Sequence, residues 1–222
     1  MSKHPPKLYK FRSLGDETSL HRAKEILETG KLHCSKYWEL NDPMEGVYRW
    51  LKIPGSFVQD LRHEKISTLI ACVSAPLALR RPLMWGHYAN GFKGVAIEFK
   101  PEGKDGGSLH KITYDVKVPK VKDGKDAVTQ VFTSKLKAWA YEKEWRLLKA
   151  DNGDRKVSVG TVSAIYVGRV YPKTAADANC PQSLQAYYHR RSCLIATARQ
   201  RKIDVYEAWI ERGKVKTIML MA

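Results

Sequence analysis

The pattern of apolar and polar positions along the chain predicts a strand-rich protein. Leu8–Arg12 alternates apolar and polar side chains, as expected for a strand with one buried face. Thr68–Ser74 is apolar over most of its length and predicts a buried strand. Similar patterns predict further strands at Leu32–Ser35, Gly94–Phe99, Ile112–Val118, Trp145–Leu148 and Ile165–Val167.

Helical spacing occurs in fewer segments. Leu20, Ala23 and Leu27 share one face of a helix that we expect Ser19 to cap and Gly30 to end. Further helices are predicted at Ser56–His63, Asp126–Ala140 and Pro181–Arg199. Proline suits the first position of the last helix, where its missing N–H would have no partner in any case.

The end of the chain predicts a β-hairpin, with strands Ile203–Ile210 and Val215–Leu220 joined at Arg212-Gly213. Strands outnumber helices and do not alternate regularly with them, which argues against a doubly wound sheet. We therefore predict an α+β fold, a single mixed domain over residues 1–222 with a strand-rich core flanked by helices.

Composition narrows the class of protein. Of the 222 residues, 43% are apolar and 28% are charged, which excludes a disordered or fibrous chain. No apolar stretch approaches the ~20 residues of a membrane span, and the N-terminus lacks the apolar core of a secretory signal. The four cysteines contain no C-x-x-C pair, so reduced thiols are expected. These features predict a cytoplasmic protein without a membrane partner.

Charge is the least ordinary feature of the composition. Lys and Arg number 39 against 23 Asp and Glu, which gives a net charge of +16. The surplus is concentrated in the lysine-rich stretch Lys100–Lys137 and in the predicted late helix. The basic residues of that helix and its end, in a stretch without acids, are Arg190, Arg191, Arg199, Arg201 and Lys202. They form either an ordinary solvated face or a surface for the phosphates of a nucleic acid.

The sequence lacks the common signatures of nucleotide binding and nucleophilic catalysis. It contains no G-x-G-x-x-G, no P-loop and no G-x-S-x-G. The seven histidines show no i, i+4 pairing and no H-E-x-x-H, so no metal site is predicted. Three other clusters therefore carry the candidate chemistry.

The first two clusters are an arginine on a strand and an acidic turn. Tyr9 and Arg12 lie on the first predicted strand. Arg12 is either a solvated edge residue or a planar cation suited to a phosphate or carboxylate. Asn41, Asp42 and Glu45 lie in an Asn-Asp-Pro-x-Glu turn. This segment is either a capped turn only or a pair of acids that holds a ribose hydroxyl or orients Arg12.

The third cluster joins aromatic residues with paired glutamates. Trp85, His87 and Tyr88 stand beside an Asn-Gly turn and are either core residues or a wall that faces a ligand. Glu142 and Glu144 precede a predicted strand, where positions i and i+2 share a face. Their carboxylates either converge on one cleft for acid–base work or form surface ion pairs with basic neighbours.

Several of these segments resemble a bacterial and phage-associated family known as domain of unknown function 2971. They are Leu8–Arg12, the Asn-Asp-Pro-x-Glu turn, Met84–Ala89 with Gly94–Phe99, and Tyr141–Arg146. The family's motifs run over residues 8–168, about three quarters of the chain, and the basic helix and hairpin at 181–220 lie beyond them. The resemblance implies membership of this family but no particular activity.

A second resemblance concerns chemistry. Arg12, Ser74 and the pair Glu142-x-Glu144 occur in the same order as the motifs of Arg-Ser-Glu ADP-ribosyltransferases. This resemblance implies an ADP-ribosyltransferase-like fold in which Arg12 holds a phosphate of NAD and Ser74 braces the site. It also implies that Glu144 stabilises the ribosyl cation and that Glu142 positions the acceptor. The further residues that we assign to the NAD site are Tyr9, Trp85, Tyr88, Asn41, Asp42 and Glu45.

The leading hypothesis is an NAD-dependent ADP-ribosyltransferase or NAD glycohydrolase that acts on a macromolecule, either a nucleic acid or a protein. Cleavage of the nicotinamide–ribose bond passes through an oxocarbenium-like state that a nearby carboxylate stabilises. One alternative is an NAD-independent phosphodiesterase or nuclease with His87 as acid or base and Arg12 on the phosphate. Another is a non-catalytic nucleic-acid-binding module whose aromatic cluster stacks on bases.

Overall fold

The protein has the predicted α+β fold in a computed structural model that describes residues 4–50, 55–101, 109–121, 126–170 and 181–220. The helices are α1 (Glu17–Thr29), α2 (Gly55–Ser67), α3 (Pro82–Tyr88), α4 (Ala127–Phe132) and α5 (Gln182–Gln200). The first strands are β1 (Leu8–Ser13), β2 (Lys31–His33), β3 (Arg49–Trp50), β4 (Thr68–Ser74), β5 (Gly94–Lys100), β6 (Leu109–Lys111) and β7 (Thr113–Asp115). The others are β8 (Lys120–Val121), β9 (Ser134–Leu136), β10 (Glu144–Ala150), β11 (Lys156–Ser158), β12 (Thr161–Gly168), β13 (Asp204–Glu211) and β14 (Lys214–Met219).

The chain forms two compact units, each discontinuous in sequence. The first contains the described residues within Met1–Lys31, Ser74–Gly103 and Ser158–Ala222. The second contains those within Leu32–Val73 and Lys104–Val157. Each unit brings together segments that are far apart in the sequence. The single domain predicted for the whole chain stays a prediction.

The first unit contains β14, β13, β12, β5 and β1, hydrogen-bonded in that order. β5 runs antiparallel to both β1 and β12, β13 runs parallel to β12, and β13 and β14 form the C-terminal hairpin. The predicted hairpin turn is confirmed, because Arg212 and Gly213 both adopt positive φ, at 48° and 74°. Gly168 ends β12 at a close approach, where a Cβ would lie 2.0 Å from the backbone oxygen of Phe92.

Helix α1 begins and ends close to the positions predicted from its capping residues. Asp16, and not Ser19, is the N-cap, and its carboxylate accepts a hydrogen bond of 2.7 Å from the Ser19 backbone N–H. The predicted cap was wrong by one turn because Asp and Ser are equally good caps and the sequence offers both. Gly30 ends the helix in the left-handed conformation with φ 67°, as predicted.

The second unit contains β4, β10 and β6, hydrogen-bonded in that order, with α2 and α4. Its core is a cluster of buried apolar side chains from α2, α4, β4 and β8, formed by Leu61, Ile70, Val121, Ala127, Val131 and Phe132. Ser74, the last residue of β4, belongs to the first unit, where it pairs with Tyr9.

The long helix predicted at Asp126–Ala140 was wrong in its second half. Helix α4 ends at Phe132, β9 pairs in parallel with β7, and residues Lys137–Glu142 form a 3₁₀ helix. Thr133 and Ser134 are weak helix formers, and the Ser134 hydroxyl donates instead to the Gln130 backbone oxygen at 2.7 Å. Apolar spacing alone could not detect this interruption.

Among the described residues, no helix is both long enough and apolar enough to cross a membrane.

Candidate functional site

Arg12 lies on β1 of the first unit, directly opposite Val95 on β5. Its side chain is half-buried, and burial together with the nearby positive charge of Arg22 lowers the pKa of the guanidinium. Among the described residues, no hydrogen-bond acceptor or carboxylate contacts the Arg12 guanidinium. A cation with no anionic partner and a second cation nearby is an arrangement that favours binding of an external anion.

Tyr9 and Ser74 lie on the other face of β1. Tyr9 is three residues from Arg12, and side chains an odd number of positions apart on a strand point to opposite faces. Tyr9 is directly opposite Ser74 on one side and Glu98 on the other, so these three side chains share a face. The structure therefore brings Tyr9 and Ser74 together but separates both from Arg12.

Glu98 is a buried carboxylate that the sequence analysis missed. One of its oxygens accepts hydrogen bonds from the hydroxyls of Tyr9 at 2.7 Å and Tyr166 at 3.1 Å. The other oxygen accepts from the Ser163 hydroxyl at 2.8 Å and pairs with the Lys7 ammonium at 2.9 Å. A glutamate inside the apolar run Gly94–Phe99 was the signal that could have revealed this cluster.

These hydrogen bonds control the ionisation of the cluster. Burial raises the pKa of Glu98, but hydrogen bonds from Tyr9, Lys7 and Ser163 outweigh it and lower that pKa below its ordinary value. Burial and the Glu98 carboxylate together raise the pKa of the Tyr9 hydroxyl. Glu98 is therefore ionised and Tyr9 is neutral at physiological pH, with Tyr9 acting as a donor.

Of the three aromatic residues considered as a ligand-facing surface, Trp85 is a core residue, whereas the rings of His87 and Tyr88 are more accessible. Trp85 has no exposed surface, and its indole N–H donates to the Leu79 backbone oxygen at 2.9 Å. Its ring stacks on Phe92, with the ring centroids 4.9 Å apart. This geometry favours a core role for Trp85 over the ligand contact assigned from sequence. His87 is exposed and Tyr88 is half-buried, with their ring centroids 6.4 Å apart.

In the second unit, the carboxylates of Glu142 and Glu144 converge on one lysine, but Glu142 ends a 3₁₀ helix and does not share a strand with Glu144, as the spacing argument assumed. Both contact the Lys135 ammonium, at 2.5 Å from Glu142 and 3.1 Å from Glu144. Lys143 between them adopts the left-handed conformation with φ 48°, which turns the chain from the 3₁₀ helix into β10. Both carboxylates are buried. In the structure both carboxylates form ion pairs within the protein, and the catalytic roles predicted for them stay predictions.

Arg146 joins Glu144 to the acidic turn of the second unit. Its guanidinium forms a two-pronged pair with Glu45, at 2.6 Å on each prong, and contacts Glu144 through Nε at 2.8 Å. It also donates to the Phe132 backbone oxygen at 2.8 Å. Glu45 was expected to hold a ribose hydroxyl or orient Arg12. The carboxylate is instead occupied by Arg146, which the sequence analysis treated only as a neighbour.

The rest of the acidic turn has a local role. The Asp42 carboxylate accepts a hydrogen bond from the Met44 backbone N–H at 2.9 Å and is buried. Asn41 is exposed. This is the geometry of the capped turn that the sequence analysis left open as an alternative.

The ion pairs set the ionisation of the second-unit network, which comprises Glu45, Lys135, Glu142, Glu144 and Arg146. Burial raises the pKa of Glu144, but Arg146 and Lys135 outweigh it and lower that pKa to about 2. Burial lowers the pKa of Lys135, but Glu144 and Glu142 outweigh it and raise that pKa. Glu144, Lys135 and Arg146 are therefore charged at neutral pH, and the carboxylates of Glu45, Glu142 and Glu144 contact the two cations.

The basic residues of α5 are largely engaged within the protein. Arg190 is buried and donates to the backbone oxygens of Leu14 at 2.7 Å and Gly15 at 2.9 Å. Arg191 pairs with Glu207 at 2.6 Å. The basic residues beyond these, Arg199, Arg201 and Lys202, are exposed, and Arg201 donates to the Glu28 backbone oxygen at 3.2 Å. This geometry favours a structural role for the middle of α5 over the predicted phosphate-binding face.

Metal-ligating side chains do not gather within the described ranges. In that part of the chain, no group of three or more His, Cys, Asp or Glu could hold a metal ion.

The fold and these clusters define an α+β protein with two features: an arginine in one unit that has no carboxylate partner among the described residues, and a buried ionic network in the other unit. Residues 84–147 match a family described as "Protein of unknown function (DUF2971)". This segment includes Trp85, Glu98, Glu142, Glu144 and Arg146, and the match confirms the predicted resemblance to this family over these residues. A search of curated proteins finds no match for the chain.

Proposed function

We propose that this protein binds NAD through its pyrophosphate at Arg12 and uses it as a donor of ADP-ribose. The observation that carries the proposal is the half-buried Arg12 guanidinium, which has a second arginine as its charged neighbour and no carboxylate partner among the described residues. A pyrophosphate would satisfy several guanidinium N–H groups at once and offset the charge of both arginines.

NAD is the candidate ligand because of the motif order in the sequence. Arg12, Ser74 and Glu142-x-Glu144 follow the order of the Arg-Ser-Glu ADP-ribosyltransferases. On that order Glu144 would be the carboxylate that stabilises the ribosyl cation. Its pKa of about 2 keeps it ionised at neutral pH, and for this role its carboxylate would have to act beside its present partners Arg146 and Lys135.

Calorimetric titration with NAD and ADP-ribose tests the Arg12 site. Arg12→Gln is expected to weaken both ligands roughly 10- to 150-fold, because hydrogen bonds to charged groups contribute about 1.5–3 kcal/mol. Arg12→Lys keeps the positive charge but loses the planar guanidinium, so its affinity should lie between that of the wild type and that of Arg12→Gln. The matched control is Arg62→Gln, an exposed arginine on α2. No binding of NAD at millimolar concentration, or equal affinity in Arg12→Gln and Arg62→Gln, would overturn the proposal.

Nicotinamide release tests the transfer step separately. Purified protein should release nicotinamide from NAD, and Glu144→Gln should abolish release while retaining NAD binding. Because Glu144 is part of a buried network, the thermal midpoint of the variant must be compared with that of Glu142→Gln. Release at the wild-type rate from folded Glu144→Gln would exclude the assigned role.

The phosphodiesterase and the non-catalytic binding module are distinguished by assays with nucleic acid. Cleavage of RNA or DNA without NAD, lost in His87→Ala, would support the phosphodiesterase. Salt-sensitive binding of nucleic acid with neither reaction would support the non-catalytic binding module.

A further inference from the structure

A face of the first unit's sheet presents aromatic and basic side chains that the sequence analysis did not connect. Trp209 on β13 is directly opposite Lys216 on β14, so their side chains share a face of the sheet. Arg169 follows β12, and its backbone N–H donates to the Ala208 oxygen at 2.7 Å. Its guanidinium carbon lies 4.5 Å from the centroid of the Trp209 ring. We call Arg169, Trp209, Lys214 and Lys216 the tryptophan face.

Glu207 holds the arginines of this region in place. It lies two residues before Trp209 on the same strand and therefore on the same face. Its carboxylate pairs with Arg169 at 3.2 Å and with Arg191 at 2.6 Å. Glu211 lies on this face too, directly opposite Lys214, so two carboxylates stand against Arg169, Arg191, Lys214 and Lys216 and a positive surplus remains.

The side chains of the tryptophan face are accessible. Lys214 and Lys216 are exposed, Trp209 is half-buried, and the Arg169 side chain is 34% exposed. The two lysines are two residues apart on a strand, which places them about 7 Å apart along the backbone. Their ammonium groups can therefore contact different phosphates of one chain.

We propose that the tryptophan face binds single-stranded nucleic acid, with bases stacking on the Trp209–Arg169 pair and phosphates contacting Lys214 and Lys216. A planar guanidinium and an indole ring both accept stacked bases, whatever the base. The positive surplus complements a phosphate backbone. The inference does not depend on NAD binding at Arg12, and it places the nucleic-acid surface on β13 and β14 and not along α5.

Fluorescence anisotropy with a labelled 12-nucleotide oligo(U) and a duplex of equal length tests the proposal. Trp209→Leu is expected to weaken single-strand binding about 5- to 150-fold, because one stacked base contributes about 1–3 kcal/mol. Trp209→Phe retains a ring and should keep most of the affinity. Thermal midpoints of both variants separate a binding effect from a folding effect.

Two doubly neutralised variants provide the matched comparison. Arg169→Gln/Lys216→Gln and Arg199→Gln/Lys202→Gln each lower the formal net charge from +16 to +14. Only the first pair should weaken binding, and each lost phosphate contact should reduce the slope of log K against log salt by about 1. The proposal would be overturned if the two double variants weakened binding equally or if the wild type bound no oligonucleotide at 50 mM salt. Full binding by folded Trp209→Leu would overturn it as well. A preference for the duplex over the single strand would also overturn it.

Discussion

At the scale of single residues, the contrast between Arg12 and Arg146 separates function from stability. Both are arginines on strands, but Arg146 is saturated by Glu45, Glu144 and a backbone oxygen. Arg12 has no such partner among the described residues. A buried arginine with all its partners depends on each of them, whereas an unpaired one retains its capacity to bind an anion.

Removal of one carboxylate from Arg146 should therefore be costly. Glu45→Gln is expected to lower the free energy of unfolding by about 3–5 kcal/mol, because it leaves a buried guanidinium without its two-pronged partner. The control is Glu39→Gln, which removes a carboxylate from a partly exposed pair with Arg155 and should cost less than about 1 kcal/mol. Urea unfolding measures both. Equal losses in the two variants would contradict the structural role of the Glu45–Arg146 pair.

Acid should weaken the same network through Glu144. Its pKa of about 2 in the folded protein is below its ordinary value of 4.5, so folding favours the ionised form. The stabilisation is fully present above pH ~5 and is lost as the pH falls through the folded pKa, with a total of about 3 kcal/mol.

A comparison of wild type with Glu144→Gln isolates this contribution from that of other carboxylates. Urea unfolding at several pH values between 6 and 2 should show the difference in free energy between the two proteins shrinking by about 3 kcal/mol. A difference that is independent of pH would show that Glu144 does not have a lowered pKa.

At the scale of elements, the junction between the 3₁₀ helix and β10 determines where the two glutamates point. Lys143 adopts φ 48° there, a conformation that costs an L-residue with a Cβ roughly 1–2 kcal/mol and costs glycine little. The strain is compensated because both carboxylates reach Lys135. The element boundary thus creates the ionic network.

Substitution at this junction should show the strain directly. Lys143→Gly is expected to match or exceed the wild type in free energy of unfolding, and Lys143→Val to fall below it by about 1–2 kcal/mol. Lys137→Gly, in the 3₁₀ helix without positive φ, is the control and should be destabilising by about 0.5–1 kcal/mol. Urea unfolding of the three variants tests this. A loss in Lys143→Gly as large as that in Lys143→Val would contradict it.

Element prediction from sequence succeeded where the pattern was local. Thr68–Ser74 and the C-terminal hairpin were predicted almost to the residue, because continuous apolar runs and an Arg-Gly turn depend on neighbouring residues. The second half of Asp126–Ala140 failed because β9 is a strand only through its pairing with β7. Strand pairing depends on a distant segment, which apolar spacing cannot detect.

At the scale of the whole molecule, the net charge of +16 is a poor guide to the location of a binding surface. The α5 arginines looked like a phosphate-binding face, but Arg190 and Arg191 have partners inside the first unit. The proposed nucleic-acid surface instead depends on residues from three separate segments, near β12, on β13 and on β14. Total charge affects long-range attraction, whereas the placement of a few exposed groups determines where a ligand binds.

The sequence by itself determined the fold class, most of the strands, and the resemblance to a family confirmed over residues 84–147. Each follows from local periodicity or from short motifs. The tertiary structure alone decided which charges are paired. It joined Glu45 to Arg146, gathered Tyr9, Tyr166 and Ser163 around Glu98, and left Arg12 without a partner among the described residues. The energy of a charge depends on its solvation and its neighbours, which only the folded chain brings together.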